Sequence, residues 1–136
     1  MPNHVTNVLE ISADGDDELI ERILKEIKGE KEYIDFAAIV PEPDNLFKDN
    51  LGSEDRKRCA EEGIPNWYDW NCDNWGTKWN AYDQSYEDLG YGCHQLTFDT
   101  AWSPPLPVIE ALRTKYPDAY IAGHWVEEGH QSAGVF

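Results

Sequence analysis

The chain has 136 residues, 27 acidic against 11 basic side chains, a formal net charge of -16 at pH 7 and 12% aromatic residues. A charge of that sign and size on so short a chain argues against direct capture of a phosphate backbone, since each contact would work against repulsion from the whole molecule, and it points to basic or neutral partners. Six Trp, seven Tyr and four Phe supply core material that a disordered chain lacks, so a single folded domain over residues 1–136 is expected.

Val5, Asn7, Leu9 and Ile11 share one face of an extended run and Thr6, Val8 and Glu10 the other, the pattern of a half-buried first strand. From Asp16 to Lys28 the apolar residues Leu19, Ile20, Ile23, Leu24 and Ile27 recur at helical spacing, with acids in the first turn, lysines in the last and Gly29 as the stop. The short apolar run Ile34 to Val40, closed by Pro41 and Pro43, predicts a buried second strand. A charged helix is expected over Ser53 to Glu62, ended by Gly63. The densest aromatic patch follows, Asn66 to Tyr82, with Trp67, Trp70, Trp75 and Trp79. Leu96, Phe98, Thr100 and Trp102 then alternate with Gln95, Thr97, Asp99 and Ala101 as a strand running into Ser103-Pro104-Pro105. The helix that opens there carries Leu106, Ile109, Leu112 and Tyr116, and a last strand covers about Ala119 to Val126.

Strand, helix, strand thus occurs twice. The expected fold class is α+β, a ferredoxin-like sandwich in which two βαβ halves build a four-stranded antiparallel sheet with both helices on one face. Residues 41–92 form an aromatic and acidic insertion between the halves, expected to cover the open sheet face and to offer a binding surface. The start Met1-Pro2-Asn3-His4 lacks a basic-then-apolar leader and no run is apolar enough to span a membrane, so a cytoplasmic protein without membrane contact is expected. The odd set Cys59, Cys72 and Cys93 reads as reduced thiols.

Several motifs together resemble one family. Met1-Pro2-Asn3, Asp35-Phe36, Val40-Pro41-Glu42-Pro43, Asn74-Trp75-Gly76-Thr77-Lys78-Trp79-Asn80-Ala81, Phe98-Asp99-Thr100-Ala101-Trp102-Ser103-Pro104-Pro105, Glu127-Glu128-Gly129 and Ala133-Gly134 are similar to the YubB-like family of phage and plasmid proteins. The chain departs from that pattern at His4-Val5-Thr6-Asn7, where the family carries a Trp-Cys-Glu-Asn-like stretch. The resemblance implies a ferredoxin-like domain and a mobile-element habitat, and no mechanism.

Chemistry-bearing residues point in several directions. Asp69, Asn71, Asp73 and Asn74 have the alternate oxygens of a calcium loop, but Asn74 stands where glycine is needed and Asn80 where the closing glutamate falls, so turn chemistry is the simpler reading. Cys72, Cys93, His94, His124 and His130 lack the paired spacing of a zinc site, and adjacent Cys93 and His94 point to opposite faces of a strand, away from a catalytic pair. No cofactor or metal is expected. Trp75, Gly76, Lys78, Trp79, Asp99 and Trp102 are read as the structural motif that holds the insertion on the sheet.

The charge is the remaining clue, since solubility needs a magnitude of only about 2 to 8 in a small domain. Glu54, Asp55, Glu61 and Glu62 of the charged helix, with Asp69, Asp73, Asp83, Glu87 and Asp88 around the anchors Trp67 and Trp70, are expected to bind a basic host protein. A nuclease or other nucleic-acid-handling complex inhibited by phosphate mimicry fits that description. The alternative is a metal-dependent phosphodiesterase or nucleotide-processing enzyme using Asp73 and Asp99, with Asp69, Glu127 and Glu128 in support.

Overall fold

A computed structural model describes residues 3–129 and 132–136. Ten elements follow in chain order: β1 (His4–Ser12), α1 (Asp17–Ile27), α2 (Phe36–Ile39), α3 (Ser53–Glu62), α4 (Trp67–Asn74), β2 (Tyr82–Gly90), β3 (Cys93–Ala101), α5 (Leu106–Lys115), β4 (Tyr120–Glu127) and β5 (Ala133–Val135). All strand pairs are antiparallel, in the order β2-β3-β1-β4-β5. With α2 to α4 set aside, the succession β1-α1-β2-β3-α5-β4 is the expected ferredoxin-like order. The sheet has five strands instead of four, because the C-terminal β5 adds to β4. No helix among the described residues is long and apolar enough to cross a membrane.

The core lies on one face of the sheet. Leu9, Ile11, Leu96 and Phe98 point there and are buried by Ile20, Ile23 and Ile27 of α1 and by Val108, Ile109 and Leu112 of α5. Asp16 caps α1 by accepting from Leu19 N–H at 3.0 Å, and Asp17 and Glu18 complement the helix dipole in the first turn.

One expected strand is a helix. Within Ile34 to Val40, Phe36–Ile39 forms the single turn α2, capped by Asp35, whose carboxylate accepts from Ala37 N–H at 3.0 Å. The segment's backbone finds side chains where a strand would find a neighbour. Ile34 N–H donates to Gln84 Oε1 and Gln84 Nε2 donates to Ile34 C=O, both at 2.8 Å, while Phe36 N–H donates to Asn80 Oδ1 at 2.9 Å. Gln84 and Asn80 therefore stand in for a strand edge, and the true second strand is β2. That strand lies within the stretch 41–92 assigned to the insertion, so the residues interposed between α1 and β2 are 28–81.

The insertion does not cover the open sheet face. Phe36 and Trp75 enter the core beside α5, with Phe36 edge-on to Phe98 and to Trp75 at 5.8 Å in each case, and Trp75 Nε1 donates to Val40 C=O at 3.0 Å. Aromatic burial on the helix side was the better outlet, since the opposite face offers mainly polar and small side chains.

Candidate interaction site

In antiparallel pairs, directly opposed residues share a face. The register therefore builds the open face in rows: Tyr82, Asp99, Thr6, Val126; Ser85, Thr97, Val8, His124; Glu87, Gln95, Glu10, Ala122. Glu10, Ser85, Glu87, Ala122 and His124 are exposed and the others half-buried. None of the five strands contains a lysine or arginine. Asp99 sits on β3, between β1 and β2, and accepts from Thr6 Oγ1 at 3.0 Å. The face is thus a shallow polar surface with carboxylates at Glu10, Glu87 and Asp99 and no fixed cation.

One end of this face is bordered by a ladder of aromatic rings and cations. Arg56 lies over the Tyr68 ring at 5.1 Å, Tyr68 meets Trp102 edge-on at 6.1 Å, and Lys78 Nζ is 4.8 Å from the centroids of both Trp102 and Trp79. Trp79 contacts Tyr82 edge-on at 6.2 Å, and the Tyr82 hydroxyl shares a hydrogen bond with His4 Nδ1. The ladder runs from α3 and α4 to the first residues of β1 and β2.

Local sequence explains why it stands where it does. Asn66 caps α4 by accepting from Asp69 N–H at 2.9 Å, and the helix ends at Trp75. Gly76 then takes φ +79°, and a Cβ there would meet Pro107 Cδ at 2.5 Å, so only glycine lets this loop lie against α5. Thr77 Oγ1 donates to Ala101 C=O at 2.8 Å, Ser103 Oγ donates to Gly76 C=O, and Asn71 Nδ2 donates to Lys78 C=O at 2.9 Å. These bonds fix the loop to the end of β3 and project Lys78 and Trp79 outward.

Trp102 departs from the strand pattern. It lies just beyond β3, at φ +75°, and is 46% exposed where alternation had placed it inward. A bulky side chain in the left-handed region is a strained arrangement that the surroundings must hold, here through the Trp102 N–H bond to Asn3 C=O at 2.8 Å.

The structural-motif residues therefore divide. Trp75 and Gly76 do packing work, Asp99 belongs to the open face, and the exposed indoles of Trp79, 39% accessible, and Trp102 flank a half-buried Lys78. The partner-binding residues divide as well. Glu54, Asp55, Glu61 and Glu62 are on α3 and Trp67, Asp69, Trp70 and Asp73 on α4, whereas Asp83, Glu87 and Asp88 are on the edge strand β2. Neither tryptophan of α4 is a free anchor: Trp70 packs edge-on to the buried Trp75 at 5.3 Å, and Trp67 Nε1 donates to Asp49 C=O at 3.0 Å. Tyr68, Tyr82 and His4 were missed, although Tyr82 closes the aromatic patch in sequence.

Among the described residues the metal and nucleophile readings find no assembled site. Asp69, Asn71, Asp73 and Asn74 are on helix α4, where turn chemistry had been expected. Asp73 borders the α3–α4 groove while Asp99 is on the open face, and the described residues contain no group of three His, Cys, Asp or Glu side chains able to hold a metal. His130 of the zinc reading lies outside the described residues. Burial, reinforced by Asp73 and Asp69, pushes the Cys72 thiol up from its ordinary value, and burial with Glu10 and Asp88 does the same to Cys93, so both thiols resist becoming thiolates.

Residues 74–136 match the family model described as the ferredoxin-like domain in Api92-like protein. Comparison with curated proteins and with solved structures gave no match. The matched stretch contains β2, β3, α5, β4 and β5 and agrees with the ferredoxin-like order; its description is not that of the YubB-like family that the motifs resemble, and it says nothing of phages or plasmids.

Proposed function

We propose that this chain is a non-catalytic, acidic binding domain that docks a basic protein on its open sheet face, competing with the phosphate backbone that the partner otherwise holds. The observation that carries this reading is the carboxylate set on the open face, Glu10 and Glu87 exposed and Asp99 half-buried, on a sheet whose strands contain no lysine or arginine. Such a surface repels nucleic acid and attracts a cationic groove, speeding encounter at low salt. With the YubB-like motifs, the partner is read as a nucleic-acid-handling enzyme of a host cell, a defence nuclease being one that fits, met in the cytoplasm.

The immobilised protein is expected to retain a basic nucleic-acid-binding protein from host lysate at about 50 mM salt and to release it at about 0.5 M salt or on addition of duplex DNA. The triple variant Glu10→Lys/Glu87→Lys/Asp99→Lys, checked for folding by circular dichroism, should lose it. Retention indifferent to salt, to DNA and to the charge reversal would overturn the proposal.

A further inference from the structure

Lys78 makes no ion pair within 4.0 Å among the described residues; what meets its ammonium is the faces of two indoles, each centroid 4.8 Å away. Two aromatic faces around one ammonium make a cation-binding cage. Both indoles are substantially exposed, and Trp102 is held there in a strained backbone conformation. Strain kept at an exposed aromatic residue is a mark of function more than of packing.

The surroundings add negative charge. Tyr82, the ring against Trp79, has its phenol pushed up from the ordinary value first by burial and then by the carboxylates Asp99, Asp83 and Glu128, so negative charge lies near the Tyr82 end of the ladder. Lys78 is also the sole base among residues 64–103, against six acids.

We infer that the Trp79–Trp102 cage is a seat for a side-chain cation, ammonium or guanidinium, of the basic partner, and that Lys78 is its tethered resident, displaced on binding. The inference rests on the basic-partner reading for its ligand, but the cage itself can be examined without any partner. Indoles recognise a cation through their faces, a contact that is strongest where water is partly excluded. An incoming cation would leave Lys78 free to swing into solvent, which its half-buried position permits.

The probe is tetramethylammonium chloride, with sodium chloride at equal ionic strength as the control, read by the indole N–H signals of Trp79 and Trp102 in NMR spectra of the whole chain. Lys78→Ala empties the cage and should bind the probe with saturable shifts and an affinity raised about tenfold over the starting protein, as two recovered cation–π faces imply. Lys78→Gln serves if the alanine variant fails to fold. The double variant Lys78→Ala/Trp102→Gly keeps a backbone able to adopt φ +75° but removes one wall, and should lose the gain. Absence of saturable shifts in the emptied cage would overturn the inference. So would the same gain in the double variant, because loss of one positive charge would then explain it. Salt-sensitive partner capture that survives in the double variant, with no probe binding in Lys78→Ala, would refute the cage and leave the acidic face standing; capture indifferent to salt and to charge reversal of the face, with probe binding intact, would refute the acidic face and leave the cage standing.

Discussion

Trp102 concentrates the conflict between local preference and surface geometry. Its φ of +75° costs a residue with a Cβ about 1–2 kcal/mol, and glycine escapes that cost. Trp102→Ala and Trp102→Gly remove the same indole contacts with Lys78 and Tyr68 but differ in the strain they retain. Glycine's extra freedom in the unfolded chain takes back about 0.4–1 kcal/mol. The glycine variant should therefore be the more stable of the two by about 0.5–1 kcal/mol in urea denaturation, reversing the usual order. An alanine variant of equal or higher stability would mean that the position is unstrained. None of this was legible beforehand: alternation through Leu96, Phe98 and Thr100 points Trp102 inward, whereas β3 ends at Ala101 and Trp102 turns outward with its N–H bonded to Asn3 C=O. The composition of the motif did make Lys78 and Trp79 conspicuous, but their partnership with Trp102, more than twenty positions on, needs the β3–α5 junction to be folded.

Elements with a strong period or clear end signals were readable and those without either were not. The helix expected over Asp16 to Lys28 is α1, where apolar spacing and the Asp16 cap agree, and Ser53 to Glu62 is α3 as expected, marked by first-turn acids, of which Asp55 accepts from Gly52 N–H, and by Gly63 at its end, without an apolar period. Strand β2, Tyr-Asp-Gln-Ser-Tyr-Glu-Asp-Leu-Gly, escaped notice since an exposed edge strand has no apolar face to display. Its place was given to Ile34–Val40, whose apolar content comes from burial against α1 and α5 and not from pairing. Coupling between α1 and α5 makes a pH prediction. Tyr116, buried at the end of α5, donates its hydroxyl to Glu26 of α1 at 2.8 Å, and burial followed by that bond and the glutamate's charge raises its pKa from 10.0 to about 12. The folded state thus retains a proton that the unfolded chain releases first. The contribution to stability is whole below pH 10 and is lost as pH rises from 10 towards about 12. Urea midpoints measured from pH 8 to 11 should show wild type above Tyr116→Phe at the low end, with the gap closing at the high end. A gap independent of pH would sever this link between the helices.

Across the whole molecule, attraction and repulsion respond oppositely to salt. Four ion pairs occur among the described residues, Arg22–Glu26, Lys48–Glu42, Arg56–Asp69 and Arg58–Asp55, all at 3.8–3.9 Å and with both partners partly or largely exposed. Pairs of this kind contribute little, about 0–1 kcal/mol each, and salt removes part of that. Against them stands a net charge of -16, which raises the energy of the compact state relative to the expanded chain. Screening relieves the second effect more than it weakens the first, because repulsion is summed over all acids while attraction is confined to four contacts. Raising sodium chloride from about 20 mM to 0.5 M shortens the screening length from roughly 20 Å to about 4 Å and should raise the thermal midpoint by several degrees. Sodium chloride also bears on the proposed docking of a basic partner, but with the opposite sign, since that association draws on the same field that destabilises the free domain. A midpoint that falls with salt would show that the exposed pairs outweigh the repulsion. A midpoint that rises while partner retention falls would mean that the carboxylates are kept at a cost to folding, the relation expected of a surface whose charge serves recognition.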